Sequence, residues 1–412
     1  MATFDPSSRE REAHEEIAAT RIGRGAAVLL TAAALGLVVL ALALEGAALA
    51  RRGSSLVERW SFATPADGLA WLTWNRQTVV RLREIDRRVD QGSALARTVR
   101  PWGQLALTSL ARYGNEEAYV GELGWLVYRP DFDHLTGSGY LEKGGRPSPV
   151  DAISTFAGEL ARRGVALLLL PVPAKPAVHP ESLAERTPTE GPRNVDDRAL
   201  ADRLRALDVA VLDPLDLLRR AALVAPGYLA TDTHWRPDAM DAVARETAIR
   251  LRAMVELPIG DETARREEPG HVEGSGDTAA LLDLPVGQRR FAPESVAIRR
   301  VVDAEGKTWR PTPKSSVLLL GDSFSAIYSQ AELGFGTGAG FAERLSFHLA
   351  LPIDRLVRNA GGASATREAL AEELARDPER FTEVRVVVWQ FAARELTQGE
   401  WRPVSFASTA PR

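Results

Sequence analysis

Through most of the chain, short continuous apolar runs alternate with segments whose apolar residues recur every three or four positions. The first pattern is that of strands buried on both faces, the second that of helices with one apolar side. The spacing predicts helices over 150–163, 196–207, 237–253, through 343–349 and over 365–376, and strands over 165–171, 209–212, 317–320, 354–358 and 384–390. Strand and helix in strict alternation predict an α/β/α sandwich around a parallel sheet. The rhythm breaks over 255–312, which is rich in Gly, Pro and charge and reads as an insertion or a lid. Upstream, Leu69, Leu72, Val79, Val80, Leu82 and Ile85 are interleaved with Arg and Glu, an amphipathic pattern that suits a helix packed on the main domain or lying on a membrane face.

One segment departs from both patterns. Residues 25–44 read GAAVLLTAAALGLVVLALAL without a charge, and Arg21, Arg24, Arg51 and Arg52 flank them. About twenty helical residues span a hydrocarbon core, so a transmembrane helix is expected here. A buried core helix would carry a polar stripe, and a cleaved signal peptide, for which Ala48-Leu49-Ala50 would serve as the cleavage site, has a shorter apolar region. The expected layout is a short cytoplasmic tail (1–24), a signal anchor (25–50), a helical stalk (51–120) and one large domain (121–412) outside the cytoplasm, on the inner-membrane surface. Basic residues on the two sides of the span nearly balance, so this orientation rests on the short tail and the large following domain rather than on charge.

Composition narrows the chemistry. A length of 412 residues leaves room for two or three folded units, and 45% hydrophobic residues are enough to build their cores. A net charge of -4 without a basic run argues against a nucleic-acid partner. The chain has no cysteine, which removes thiolate nucleophiles, disulfides and cysteine-bound metals, and leaves oxygen as the nucleophile.

Three strand ends carry candidate chemistry, at the edge where open parallel sheets gather functional groups. Gly321-Asp322-Ser323 follows the strand 317–320 and could lift a serine hydroxyl onto a sharp turn, although the same residues make an ordinary helix cap. Thr231-Asp232-Thr233-His234-Trp235 offers an imidazole to take the serine proton and a carboxylate to orient it. It also looks like half a metal site, but no second histidine is near in sequence, and no metal is assigned. Asn359-Ala360-Gly361 ends the strand 354–358 and could present the Gly361 N–H to an oxyanion.

Together these residues resemble the SGNH or GDSL hydrolase superfamily, with two departures. Asp232 and His234 are two apart and precede Ser323, and the usual Gly-x-Asn-Asp block is missing, since the strand 384–390 runs into Phe391-Ala392-Ala393-Arg394-Glu395. Both departures match the permuted alginate O-acetyltransferase family of the AlgJ and AlgX type, as do Gly124-Trp125-Leu126-Val127-Tyr128 and Pro171-Val172-Pro173-Ala174-Lys175. The chain closes soon after Arg402, which suits the membrane-anchored AlgJ arrangement rather than one with a C-terminal carbohydrate-binding module. The resemblance implies an SGNH-hydrolase-like α/β/α sandwich preceded by a transmembrane helix, and a Ser323–His234–Asp232 triad that acetylates an exopolysaccharide without a cofactor. The backbone of Gly361 and the side chains of Asn359, Arg394, Tyr328 and Lys175 are candidates for oxyanion or substrate contacts. A membrane-bound O-acyltransferase is the implied acetyl donor, within a polymer synthesis and export complex. An acetyl esterase of the same fold, or a non-catalytic glycan-binding assembly subunit, are the competing readings.

Overall fold

The computed structural model describes residues 94–141, 147–184, 191–359 and 361–406, with isolated positions between 25 and 47. The chain divides into two compact units, residues 1–103 and 104–412. In the first, the isolated described positions between 25 and 47 are helical and exposed. The expected membrane span as a whole lies outside the described residues, as do most of the expected stalk and the amphipathic stretch near residue 80. No helix among the described residues is long and apolar enough to cross a membrane.

Among the described residues, the second unit holds nine strands: β1 (Ala118–Val120), β2 (Leu126–Tyr128), β3 (Ala166–Val172), β4 (Ala210–Val211), β5 (Arg265–Gly274), β6 (Glu294–Asp303), β7 (Val317–Gly321), β8 (Asp354–Val357) and β9 (Val386–Ala392). Five of them form the main sheet in the order β4-β3-β9-β7-β8, with every pairing parallel. Alternation along the strands divides the core into two layers, because successive side chains point to opposite faces. Leu168, Leu170, Val317, Leu319, Val386 and Val388 pack on one side, with the helix Pro237–Met254 and the helix Phe341–Leu349. Leu167, Leu169, Leu318, Leu320, Val387 and Trp389 pack on the other, with the helices Pro149–Ala161, Asp197–Ala206 and Gly362–Arg376. The strands therefore read as continuous apolar runs, since neither face meets water.

The stretch 255–312 is not irregular. It holds the antiparallel hairpin β5–β6, paired from Arg265↔Asp303 to Gly274↔Glu294. Its strands contain Pro269, Gly270 and nine charged residues on β5 and β6 combined with alternating burial, which is why composition hid them. The hairpin is fastened to the helical layer through buried Asp241, which accepts hydrogen bonds from Arg299 of β6 (3.1 Å) and from Arg344 and His348 of the helix Phe341–Leu349 (both 2.6 Å).

Candidate active site

β7 delivers the serine. At its end Asp322 leaves the strand and its carboxylate accepts the Phe324 N–H (2.9 Å), so Ser323 becomes the first residue of a short helix. The same carboxylate accepts from the Gln390 amide (2.8 Å) and the Ala392 N–H (2.7 Å) of β9. Gln390 in turn accepts from the Ser325 hydroxyl (2.5 Å) and the Asp322 N–H (3.2 Å). Asp322 is thus a helix cap and also a bolt between neighbouring strands. Gly321 is required by this packing: a β-carbon there would stand 2.5 Å from Ser325 Oγ. Ser323 is half-buried at the carboxyl end of the sheet.

The imidazole comes from the tight loop before the helix Pro237–Met254, closed by the Tyr228↔Trp235 bridge. Asp232 Oδ1 accepts both the His234 N–H (2.9 Å) and, at 2.6 Å, the ring Nδ1–H. A carboxylate readily caps the N–H two residues on, and here the same turn brings it onto its own imidazole. The two-residue spacing is therefore sufficient where three would be usual. His234 Nε2, the atom that would take a serine proton, is buried and has no hydrogen-bond partner. The ring lies 4.7 Å from the Phe324 ring, next in sequence to Ser323. Trp235 Nε1 donates to the Phe324 carbonyl (3.0 Å) and the Tyr328 hydroxyl donates to the Trp235 carbonyl (2.7 Å), so the histidine loop and the serine helix are stitched together. Catalytic hydrogen bonds commonly close only with substrate bound, which fits an unpaired Nε2 here.

Electrostatics favour an ion pair in this dyad. Burial pushes the imidazole down, but the Asp232 charge and hydrogen bond, with Asp277 behind them, hold it above its ordinary value; Arg394 opposes them. Burial alone would raise Asp232, and the His234 charge and hydrogen bond, with N–H donation from Asp277 and His234, hold it below the ordinary carboxylate value.

Two residues of the 255–312 stretch complete the loop, and sequence gave no sign of either. Asp277 donates its N–H to Asp232 Oδ2 (2.8 Å) and accepts the N–H (2.8 Å) and hydroxyl (2.5 Å) of Thr233. Glu294 accepts the N–H groups of Ala230 (3.0 Å) and Thr231 (2.8 Å). Asp232, His234 and Asp277 bring potential metal-ligand atoms within 4.8 Å of one another. Their facing oxygens already accept hydrogen bonds from His234 and Thr233, the arrangement of an oriented base rather than an open chelate.

The remaining candidates separate. Gly361 is left-handed (φ 91°) just before the helix Gly362–Arg376, and β8 beside β7 is continued by donation of the Arg358 N–H to the Gly321 carbonyl (3.0 Å), which keeps this turn on the strand next to the serine. Asn359 is exposed and its amide donates to Gln330 (2.5 Å). Tyr328 is fully buried and its hydroxyl proton is given to the Trp235 carbonyl, so it braces the histidine loop instead of serving an oxyanion. Arg394 donates to buried Asp131 (3.0 Å) and lies over the Tyr128 and Phe324 rings (5.1 and 5.8 Å). Lys175 is not a cleft residue: it is buried, and its ammonium donates to the Leu126 (2.7 Å) and Ala230 (3.1 Å) carbonyls.

A serine after β7, the strand next to the β8 edge of a parallel sheet, with an Asp–His pair on a separate loop tied to the serine's helix, suits an SGNH hydrolase-like α/β domain. Residues 118–393 match the family described as SGNH hydrolase-like domain, acetyltransferase AlgX, and the chain belongs to that family. It is 26% identical over 300 residues to the probable alginate O-acetylase AlgJ of Pseudomonas aeruginosa, covering 72% of this chain and 74% of that protein. Among solved structures, the O-acetyltransferase domain of Pseudomonas putida AlgJ superposes with a TM-score of 0.51 at 21% identity, covering 69% of this chain and 93% of that one. AlgX of P. aeruginosa gives a TM-score of 0.51 at 19% identity, over 72% of this chain and 67% of its own.

Proposed function

We propose that this protein O-acetylates hydroxyl groups of an exopolysaccharide through an acetyl-Ser323 intermediate. The observation that carries the reading is the buried Asp232–His234 pair, its Nε2 unpaired and its ring against Phe324, the residue that follows Ser323 on the helix after β7. His234 takes the Ser323 proton as Oγ bonds to the acetyl carbonyl carbon, then returns it to the departing donor oxygen. A sugar hydroxyl next gives its proton to the same nitrogen and bonds to the acetyl carbon, and the Ser323 Oγ takes that proton back as its bond to the acetyl carbon breaks. The N–H groups of Ser323 and Gly361 are assigned to the tetrahedral oxyanion, where one such donor typically contributes about 3–4 kcal/mol.

The relatives' names point to alginate or a related polymer as acceptor. In this reading, residues 25–50 anchor the chain in the inner membrane, and a membrane-bound O-acyltransferase of the same polymer-export complex supplies the acetyl group outside the cytoplasm. The test is intact-mass detection of an acetylated enzyme, with acetyl transfer to polysaccharide oligomers. Ser323→Ala and His234→Ala should abolish both. Wild-type rates in either variant would refute the assignment, and release of free acetate with no acetylated polymer would make the enzyme an esterase.

A further inference from the structure

Lys175 opens the short helix Lys175–Val178 after β3 and is 1% exposed. Burying an ammonium costs several kcal/mol unless partners compensate, yet among the described residues no carboxylate lies within ion-pair distance of it. Its partners are two backbone carbonyls, Leu126 and Ala230, and the face of Trp125, 5.5 Å away. The Ala230 carbonyl also accepts the Leu126 N–H (2.8 Å). That carbonyl lies two residues before Asp232, and the N–H of the same residue is held by Glu294. The loop is therefore gripped on both sides immediately before it turns into Asp232-Thr233-His234.

Charge runs in the same direction as geometry. Asp232, Asp277, Glu294 and Asp131, on four separate segments, act on the ammonium through their charge, and the ammonium acts in the same way on His179. Asp131 also pairs with Arg394 (3.0 Å) and Glu294 with Arg236 (3.6 Å), so the ammonium is one of several cations set among these carboxylates.

We propose that Lys175 is a positioning residue for the Asp232–His234 pair, fixing the loop through its two carbonyls and adding its positive charge to that of His234 in favour of the Asp232 carboxylate. The proposal rests on the acyl-transfer reading. Burial pulls the Lys175 ammonium down to about 8, against the opposing pull of the four carboxylates. A neutral amine still has N–H groups for both carbonyls, but it loses the charge and the extra strength of charge-assisted bonds. Activity should therefore fall as pH rises through about 8. Arginine, always charged, should not show that loss.

The experiment uses full-length wild-type, Lys175→Met and Lys175→Arg proteins, and follows both hydrolysis of a model acetyl ester and labelling of Ser323 by a sulfonyl fluoride across the pH range. Lys175→Met should lower kcat about a hundredfold, the cost of a misplaced catalytic group, while KM stays nearly unchanged. Lys175→Arg should retain most activity and move the alkaline limb upward by at least about one pH unit. A folded Lys175→Met with wild-type kcat, a Lys175→Arg with the wild-type alkaline limb, or a wild-type profile flat through about pH 8 would each overturn the proposal. If Lys175→Met does not fold, the wild-type and Lys175→Arg profiles decide. A wild-type protein that neither cleaves the ester nor labels at Ser323 overturns the acyl-transfer reading itself, and this proposal with it.

Discussion

At Asp232 one carboxylate oxygen performs two tasks, capping the His234 N–H and fixing the Nδ1 proton. Asp232→Asn should keep the turn, since an amide oxygen can still accept the N–H, but it removes the charge that holds the imidazolium. Turnover is expected to drop by about 10⁴, as for other triads with a neutralised acid. The acid limb of kcat/KM, which His234 places above the ordinary histidine value, should move to lower pH in the variant, because the partner that raises it is gone. A pH–rate profile of both proteins checks the sign. These residues were legible because their chemistry is local: Gly321-Asp322-Ser323 and Asp232-Thr233-His234 each sit within a few positions in sequence. Lys175 and Tyr328 were visible as residues but not as what they do. Their partners are the carbonyls of Leu126, Ala230 and Trp235, and a backbone carbonyl leaves no mark on residue type.

The strands and helices of the main sheet lie within a few residues of their sequence-predicted bounds, since a doubly covered strand needs an unbroken apolar run and few other segments have one. The hairpin β5–β6 did not announce itself, because its outward positions carry charge and its inward ones meet helices. What secures it is Asp241, buried beneath Arg299, Arg344 and His348. Burial alone would raise this carboxylate, and the hydrogen bonds and charges of His348 and Arg344 hold it well below the ordinary range. A depressed carboxylate contributes stability that is present above its unfolded-state value and lost as pH falls through the folded one. Asp241→Ala should cost about 3 kcal/mol, because buried Arg344 keeps only Glu267 and His348 loses its carboxylate partner. Its denaturation midpoint should also lose the wild type's decline in acid, which chemical denaturation at several pH values would show. Glu294 and Asp277 belong to this hairpin and its approach, so loosening it should reduce turnover as well as stability.

For the whole molecule, the reading places a catalytic domain at a membrane by means of residues 25–44. Leu35→Asp with Val39→Asp should move the full-length protein from the membrane to the soluble fraction, since each acid at the centre of a span costs about 2.5–3.5 kcal/mol of insertion. Cell fractionation tests this independently of activity, and unchanged membrane retention would remove the anchor from the proposal. The order of the main sheet bears on how such a domain crosses a membrane. β9, late in the sequence, is the strand between β3 and β7. Until residues 386–392 emerge, the strand before the Lys175 turn and the strand before Ser323 have no common neighbour, and Asp322 lacks the Gln390 and Ala392 donors that fix it. Closing so distant a contact is slow compared with forming local helices. In the proposed anchored arrangement, the chain should therefore stay threadable until β9 emerges, and the Asp322 turn before Ser323 should be fixed only after that.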